Sequence, residues 1–309
     1  MEILALPART PTEAPAACVA ALGFFDGVHR AHAAVLSAAA EEARRRSLPL
    51  LVFTFASQGA PKANVPRLSD DGERAALFHG RGASLAVFAD FPALASLTPE
   101  AFVTDILRAR LGVVLAVVGA DFRFGHRALG DAARLSRLMA AAGGEARVLP
   151  LVSEGGEPIS STRIRASLAE GDCEGAARLL GRPYSLTLPV LHGASLGVSL
   201  GFPTANQRPL PGRMLPKAGV YRTVVTLPDG RCLDGVTDVG TRPTVAGSEE
   251  RCETHILDFS GDLYGKTLTV AFASRLRGEI AFPSLNALKE QIKNDCMEVR
   301  TWRLQNGHS

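Results

Sequence analysis

The 309-residue sequence predicts an α/β domain built on a parallel sheet, followed by an antiparallel barrel or sandwich that ends in a C-terminal helix. Three observations carry this. As far as residue 152, apolar strand-like runs alternate with helix-forming runs. From Leu186 to about Arg277, short segments alternate apolar and polar residues between Gly, Pro and Asp-Gly turns. The stretch "PSLNALKEQIKNDCMEVRTW" (283–302) then has the pattern of an amphipathic helix beginning at a proline.

In chain order, "ACVAALGFF" (17–25) is a continuous apolar run of the kind that forms a strand buried on both faces. "HAAVLSAAAEEARRR" (32–46) is a helix former, and "LPLLVFTF" (48–55) a second buried strand. "SDDGERAALFHG" (69–80) reads as a helix capped by Ser69, and "ASLAVFADF" (83–91) as a third strand. In "TPEAFVTDILRARLG" (98–112), Thr98 can cap, Pro99 suits the first helical position and Glu100 favours the positive helix end. "VVLAVVGADF" (113–122), "DAARLSRLMAAAGG" (131–144) and "ARVLPLV" (146–152) continue the alternation. In such βαβ order ligands sit at the carboxyl ends of the strands. Beyond "ISSTRIRASLAEGDCEGAARLLGRPYS" (159–185) the character changes, so the domains are expected over 1–183 and 184–309, with the boundary near Pro183.

With 46% hydrophobic and 21% charged residues the chain has globular composition. The 34 basic and 31 acidic residues leave a net charge of +3 with no basic block, which argues against nucleic acid as a partner. No apolar run approaches the ~18 residues of a membrane span, and the N-terminus lacks a basic n-region. Five scattered cysteines without a C-x-x-C pair fit a reducing compartment. The expectation is a cytoplasmic protein with no membrane partner; oligomeric state is not legible.

The first chemistry lies in "GFFDGVHRAHAAVL" (23–36). A strand, a turn holding Gly27 and a helix starting near His29 present free backbone N–H groups and a positive helix end, which together suit phosphate. On a helix His29 and His32 would lie roughly 60° apart and face one anion. The alternatives are two solvated histidines or a metal pair, though no Cys, Asp or Glu ligand follows at the usual spacing. In "ISSTRIR" (159–165), Ser160, Ser161 and Thr162 offer hydroxyls at the start of a helical run, and Arg163 and Arg165 add positive charge. Polyphosphate suits this set; an ordinary capped helix is the plainer reading.

"GFFDGVHRAH", "VGADFRFG" (118–125) and "ISSTRIRASLAEGDCEGAARLLGRPY" resemble the adenylyltransferase half of the bifunctional riboflavin kinase/FMN adenylyltransferases, the prokaryotic FAD synthetases. "GFPTAN" (201–206), "GVY" (219–221), "GTRPTV" (240–245), "ETHILDF" (253–259) and "DLYG" (262–265) resemble their riboflavin kinase half, in the same order over nearly the whole chain. The resemblance implies a Rossmann-like nucleotidyltransferase domain followed by an antiparallel β-barrel riboflavin kinase domain with a C-terminal helix. It implies that ATP and riboflavin give FMN, and that ATP and FMN then give FAD and pyrophosphate. His29 and His32 would hold the α-phosphate, Ser161, Thr162 and Arg165 the β- and γ-phosphates, and Asp121 would face the nucleotide or flavin. In the second half, Gly201 permits close backbone approach, and Thr204 and Asn206 are neutral oxygen donors suited to Mg²⁺ shared with ATP. Without the family likeness "GFPTAN" would be an ordinary polar turn. Glu253 matches the proton acceptor for the riboflavin hydroxyl. Asp258 and His255 would alternate along the same strand as structural or solvent-facing residues. The flavin-binding residues are not legible.

The sequence departs from the family at Ala31, where glycine is usual between the histidines, and at Phe24, a frequent asparagine. It departs again in "TFASQGAPKA" (54–63), at Val198 in place of an arginine, and at Asp238 in place of a common asparagine. Two competing readings follow: a protein with only one active half, the adenylyltransferase being the impaired one, and a non-catalytic flavin- or nucleotide-binding regulator. A regulator would not need a base.

Overall fold

The computed structural model describes residues 1–6, 17–58, 65–192, 197, 200–244 and 247–306. These divide into two units, Met1–Ser161 and Thr162–Ser309. Val198, Val245 and the 59–63 part of "TFASQGAPKA" lie outside the described residues.

The strands of the first unit are β1 (Glu2–Leu6), β2 (Cys18–Leu22), β3 (Leu50–Phe55), β4 (Leu85–Ala89), β5 (Val113–Gly119), β6 (Arg123–Phe124), β7 (Gly130–Asp131), β8 (Glu145–Leu149), β9 (Ser153–Glu154) and β10 (Glu157–Pro158). Six of them form one parallel sheet in the order β1-β4-β3-β2-β5-β8. Residues of β2 alternate between two cores: Cys18, Ala20 and Leu22 pack in one, Val19 and Ala21 in the other. This two-sided burial explains the unbroken apolar runs. The chain leaves β2 to one side for β3 and returns on the other side with β5. The switch point of the sheet, where a crevice opens at the carboxyl ends, therefore lies between β2 and β5.

Helices cover the sheet: α1 (Arg30–Arg46), α2 (Asp71–His79), α3 (Phe91–Leu94), α4 (Pro99–Ala101) and α5 (Ala132–Ala141). Thr98 caps α4 as expected, its Oγ1 accepting from the Ala101 N–H at 3.1 Å, with Pro99 at the first position. The helix then continues as a π-helix over Phe102–Arg110, and the Leu111 N–H reaches the Ile106 carbonyl five residues back at 3.0 Å. Ser69 does not cap α2. Asp70 does, in a reciprocal capping box with Glu73, leaving Ser69 for a longer-range bond. The apolar run 17–25 ends as a strand at Leu22, because Phe25 and Val28 turn into the left-handed region.

The second unit opens with most of α6 (Ser161–Glu170), which straddles the division, and with α7 (Cys173–Leu180). Strands β11 (Tyr184–Leu191), β12 (Thr204–Gln207), β13 (Gly219–Thr226), β14 (Cys232–Thr244), β15 (Gly247–Ile256) and β16 (Thr267–Arg277) close into a barrel in the order β11-β12-β15-β14-β13-β16. Every pairing is antiparallel. Of barrel and sandwich, the barrel is the outcome. Thr223, Thr237 and Thr254, all fully buried, bond hydroxyl to hydroxyl across β13, β14 and β15 at 2.8 and 2.9 Å. Alternation then puts the neighbouring residues of β14 and β15 on the opposite face. The C-terminal helix spans Leu285–Asn306; Pro283 stands just ahead of it, and Ser284 Oγ accepts from the Ala287 N–H at 3.2 Å.

Candidate functional site

In the first unit the turn after β2 holds the histidines. Phe25, Gly27 and Val28 have φ of 52°, 78° and 41°, so two non-glycine residues occupy the left-handed region, a strained arrangement that surrounding contacts must hold. Those contacts are specific. The buried Asp26 carboxylate accepts from the Leu68 and Ser69 N–H groups at 2.9 and 3.2 Å, and the Gly27 N–H donates to Ser69 Oγ at 2.9 Å. Ser161 Oγ donates to the Asp26 carbonyl at 3.0 Å, tying the first residue of α6 to the same turn.

Arg74, a fully buried side chain, braces the strand ends behind the turn. It donates to the carbonyls of Phe24 and Phe55, each at 2.8 Å, and to Thr54 Oγ1 at 3.0 Å, and it pairs with Asp71. The Phe24 ring lies beneath the guanidiniums of Arg67 and Arg74, at 4.7 and 5.4 Å.

His29 is the N-cap of α1 and not a helical residue: its φ and ψ are −71° and 173°. Its Nδ1 accepts from the His32 N–H at 3.3 Å, which puts the proton of the neutral ring on Nε2. The two rings stack at 3.6 Å and 16°, closer than two faces of a continuous helix would give, and Phe25 meets His32 edge-on at 5.2 Å. Burial, then His29 and then Arg74, hold His32 well below the ordinary value of 6.5, so its ring is neutral near pH 7. His32 Nδ1 has no hydrogen-bond partner among the described residues. When it carries the ring proton, an orphaned ring nitrogen beside a helix N-terminus can donate to an anion. Ala31, between the histidines, is half-buried in the first turn of α1.

Asp121 follows β5, the neighbour of β2, with its carboxylate over Gly119, where a Cβ would come within 2.9 Å of it. Thr162 and Arg165 lie on α6, in the second unit.

In the second unit a cavity of about 560 Å³ opens on one face of β12, β15 and β14 and is bordered by the C-terminal helix. Asn206 pairs in register with Glu253, and Glu253 with Asp238, forming a polar row across the three strands. Thr204 and His255 form the next row. Arg251 Nη1 donates to Glu253 Oε1 at 2.7 Å, a bond that uses one carboxylate oxygen. Burial raises the Asp238 carboxyl above its usual range; Glu253 and Glu279 add to the rise, and Arg251 and Arg277 oppose it.

Gly201 has φ of 87°, and a Cβ at this position would meet nothing within 4 Å. Glycine is therefore needed there for backbone conformation, and the surrounding space is open. His255 Nδ1 bonds the Pro203 carbonyl at 2.9 Å and its ring meets Phe202 edge-on, fastening the "GFPTAN" turn to β15. Asp258 does not alternate along β15: it lies beyond the strand end, with φ of 55°, and pairs with Arg300 at 2.6 Å.

No group of three or more His, Cys, Asp or Glu among the described residues could hold a metal. Thr204 and Asn206 nevertheless fit a hard cation. Their side chains sit together, Asn206 Nδ2 lying 3.4 Å from Thr204 Oγ1, as neutral oxygen donors beside a cavity with four carboxylates, Asp238, Glu253, Glu279 and Asp295, against two guanidiniums, Arg251 and Arg277. A cation completed by water and phosphate oxygens suits that excess of negative charge.

Three side chains that bond around these sites, Arg74, Arg251 and Ser69, are not singled out by the sequence. Arg74 and Ser69 reach partners far away in the chain, while Arg251 bonds Glu253 on its own strand and lies near Asp238 on the neighbouring one; the only sequence signal is the two-residue spacing of Arg251 and Glu253 on one strand face.

A family model for FAD synthetase matches residues 12–163, and one for riboflavin kinase matches residues 180–303. The bifunctional riboflavin kinase/FMN adenylyltransferases of Escherichia coli (strain K12) and Pseudomonas fluorescens are 38% and 40% identical, over 92% and 94% of this chain and the same shares of their own. That of Bacillus subtilis (strain 168) is 32% identical over 93% of both chains. A crystal structure from Streptococcus pneumoniae, described as a macrolide-efflux protein, superposes with a TM-score of 0.88 at 30% identity, covering 98% of this chain and 100% of that one. That likeness bears on the fold; the efflux named there is that protein's, and among the described residues no helix is long and apolar enough to cross a membrane. The fold and both matched domains define a two-domain transferase of phosphorus-containing groups. More narrowly, the chain belongs to the bifunctional riboflavin kinase/FMN adenylyltransferase family.

Proposed function

We propose that the protein makes FAD in two steps, phosphorylating riboflavin with ATP to FMN and adenylylating FMN with a second ATP, and that the activities reside in residues 184–309 and 1–183. The observation that carries this reading is the register of Glu253 with Asn206 at the cavity, which pairs a proton acceptor with an oxygen donor for a cation. In the kinase step the primary hydroxyl of riboflavin attacks the γ-phosphorus, the bond to the β-phosphate oxygen breaks and ADP leaves. Glu253 takes the hydroxyl proton on the oxygen that Arg251 does not engage. Thr204 and Asn206 would hold Mg²⁺, whose chemistry is to neutralise the ATP phosphate oxygens. Gly201 lets the backbone approach the nucleotide.

In the second step a phosphate oxygen of FMN attacks the α-phosphorus of ATP and pyrophosphate leaves. His29, its Nδ1 engaged and its Nε2 carrying the proton, donates to an α-phosphate oxygen as charge grows there, and the neutral His32 ring serves beside it. The Gly27 turn and the N-terminus of α6, with Ser161, Thr162 and Arg165, are assigned to the phosphates, and Asp121 to the nucleotide or flavin. Support for the α6 assignment is the bond from Ser161 to the Asp26 carbonyl. The chemistry calls for no protein nucleophile; positioning and charge supply the rate. Cytoplasmic location, no membrane or nucleic-acid partner, and riboflavin, FMN, FAD and ATP as ligands complete the reading.

The test is to incubate pure protein with riboflavin, ATP and Mg²⁺ and to separate flavins by chromatography. FMN appearing first and FAD later supports it. FMN without FAD would leave the kinase half alone active, and neither product would return the protein to the binding-module reading.

A further inference from the structure

Two carboxylates face each other across β14 and β15. Asp238 and Glu253 are register partners on the cavity face, and like charges at such opposed positions repel. A third carboxylate, Glu279, stands over Gly240, where a Cβ would come within 2.7 Å of its Oε1. Asp295 from the C-terminal helix also lines the cavity.

Of the two guanidiniums there, Arg277 is committed elsewhere. It grips Asp295 with Nε at 3.0 and 3.2 Å and Nη2 at 2.8 Å, and Gln291 adds a bond to the same carboxylate at 2.9 Å. His255 is turned to the Pro203 carbonyl. On β13 the register partner of Asp238 is the apolar Val220. Arg251 is the cation that reaches both members of the opposed pair: Nη1 lies 2.7 Å from Glu253 Oε1 and Nη2 lies 3.8 Å from Asp238 Oδ2.

We infer that Arg251 is a positioning residue of the kinase reaction, holding the Glu253 carboxylate in place while offsetting the charge of Asp238, so that Arg251 and Asp238 form one coupled device. Arg251 touches no reacting atom and acts through Glu253; the inference therefore rests on Glu253 being the proton acceptor.

The physical consequence has a definite sign. Without the guanidinium, two adjacent carboxylates relieve their repulsion by swinging apart. That takes Glu253 out of the fixed position that a base requires. With Asp238 also made neutral and of equal shape, the repulsion disappears and an amide can donate to Glu253. Removing Arg251 must then cost less.

The experiment is a double-mutant cycle on the full-length protein, following FMN formation from riboflavin and ATP at pH 7.5 with Mg²⁺ (~5 mM, well above typical ATP-site needs). Arg251→Met is expected to lower kcat roughly tenfold or more while the KM for ATP changes less than about threefold, since the loss falls on the base and not on nucleotide contacts. In the presence of Asp238→Asn, the cost of Arg251→Met is expected to shrink by at least about fivefold, within the range that coupled contacting residues show. Equal cost in both backgrounds, or a loss confined to KM, overturns the inference. If Arg251→Met does not fold, as judged by circular dichroism, Arg251→Gln carries the same comparison with the same two outcomes. Glu253→Gln separates the two levels: if it retains full kinase activity the proposed function fails at its base, whereas its loss of activity with no Arg251–Asp238 coupling removes this inference alone.

Discussion

Single residues here owe their chemistry to one or two neighbours. The His29 cap fixes its own tautomer through the His32 N–H, and His32 is kept neutral by burial and by two nearby groups that can carry positive charge. The three-residue spacing predicts both histidines on one helix face; the stacked pair at 3.6 Å arises because His29 stands outside the helix as its cap. A depressed His32 has a cost in acid. The unfolded chain accepts a proton near 6.5 while the folded one resists it to a lower pH, so the unfolded state binds more protons in that interval and stability falls as pH falls. Thermal melts of wild type and His32→Gln between pH 7.5 and 5 measure this. The variant should lose less of its Tm over that range, and parallel curves would mean that His32 contributes nothing to acid sensitivity.

At the scale of elements, the site turn is held by bonds that local sequence could not announce. In "SDDGER" the sequence reading places the cap at Ser69. The structure assigns capping to Asp70, so that Ser69 bonds Gly27, forty-two residues away in the chain. These neighbours therefore separate by their effects. Asp70→Ala should cost ~0.5–2 kcal/mol of stability through the lost cap, with FAD formation by the remaining folded protein little altered. Ser69→Ala should cost ~1–3 kcal/mol by removing the buried bond from the Gly27 N–H, and should also slow FAD formation from supplied FMN because the histidine turn loosens. Denaturant unfolding and initial rates on both variants check this, and the reverse ranking of the two rates would place the anchor wrongly. Strands β2, β3, β4 and β5 of the parallel sheet were legible because unbroken apolar runs admit few alternatives, and β8 was read within "ARVLPLV"; β1 (Glu2–Leu6), which pairs with β4 at the sheet edge, was not read. Barrel and sandwich were not distinguishable, since closure depends on β16 pairing with both β11 and β13, a long-range property.

For the molecule as a whole, composition suggests a division near Pro183, and the contacts divide the chain after Ser161, bracketing α6 and α7. Within the second unit the Lys217 N–H bonds the Leu168 carbonyl at 2.8 Å, and α7 buries Cys173, Ala176, Leu179 and Leu180. A fragment of residues 162–309 should therefore fold and form FMN. A fragment of residues 184–309 should melt at a lower temperature, because it exposes surface that α7 covers. Equal melting temperatures would show that α6 and α7 add nothing to the barrel.

The two-site arrangement is tested most directly by two complementary variants, each assayed alone and then mixed. Glu253→Gln should make FAD from supplied FMN but form FMN from riboflavin ~10²–10⁴-fold more slowly. His29→Ala should convert riboflavin to FMN and stop there, having lost a donor to the α-phosphate worth ~3–4 kcal/mol in the transition state. Mixed in one tube with riboflavin, ATP and Mg²⁺, the two proteins should restore FAD through free FMN. A contradictory result would be FAD made from riboflavin by either variant alone at the wild-type rate, or loss of both steps in a folded single variant.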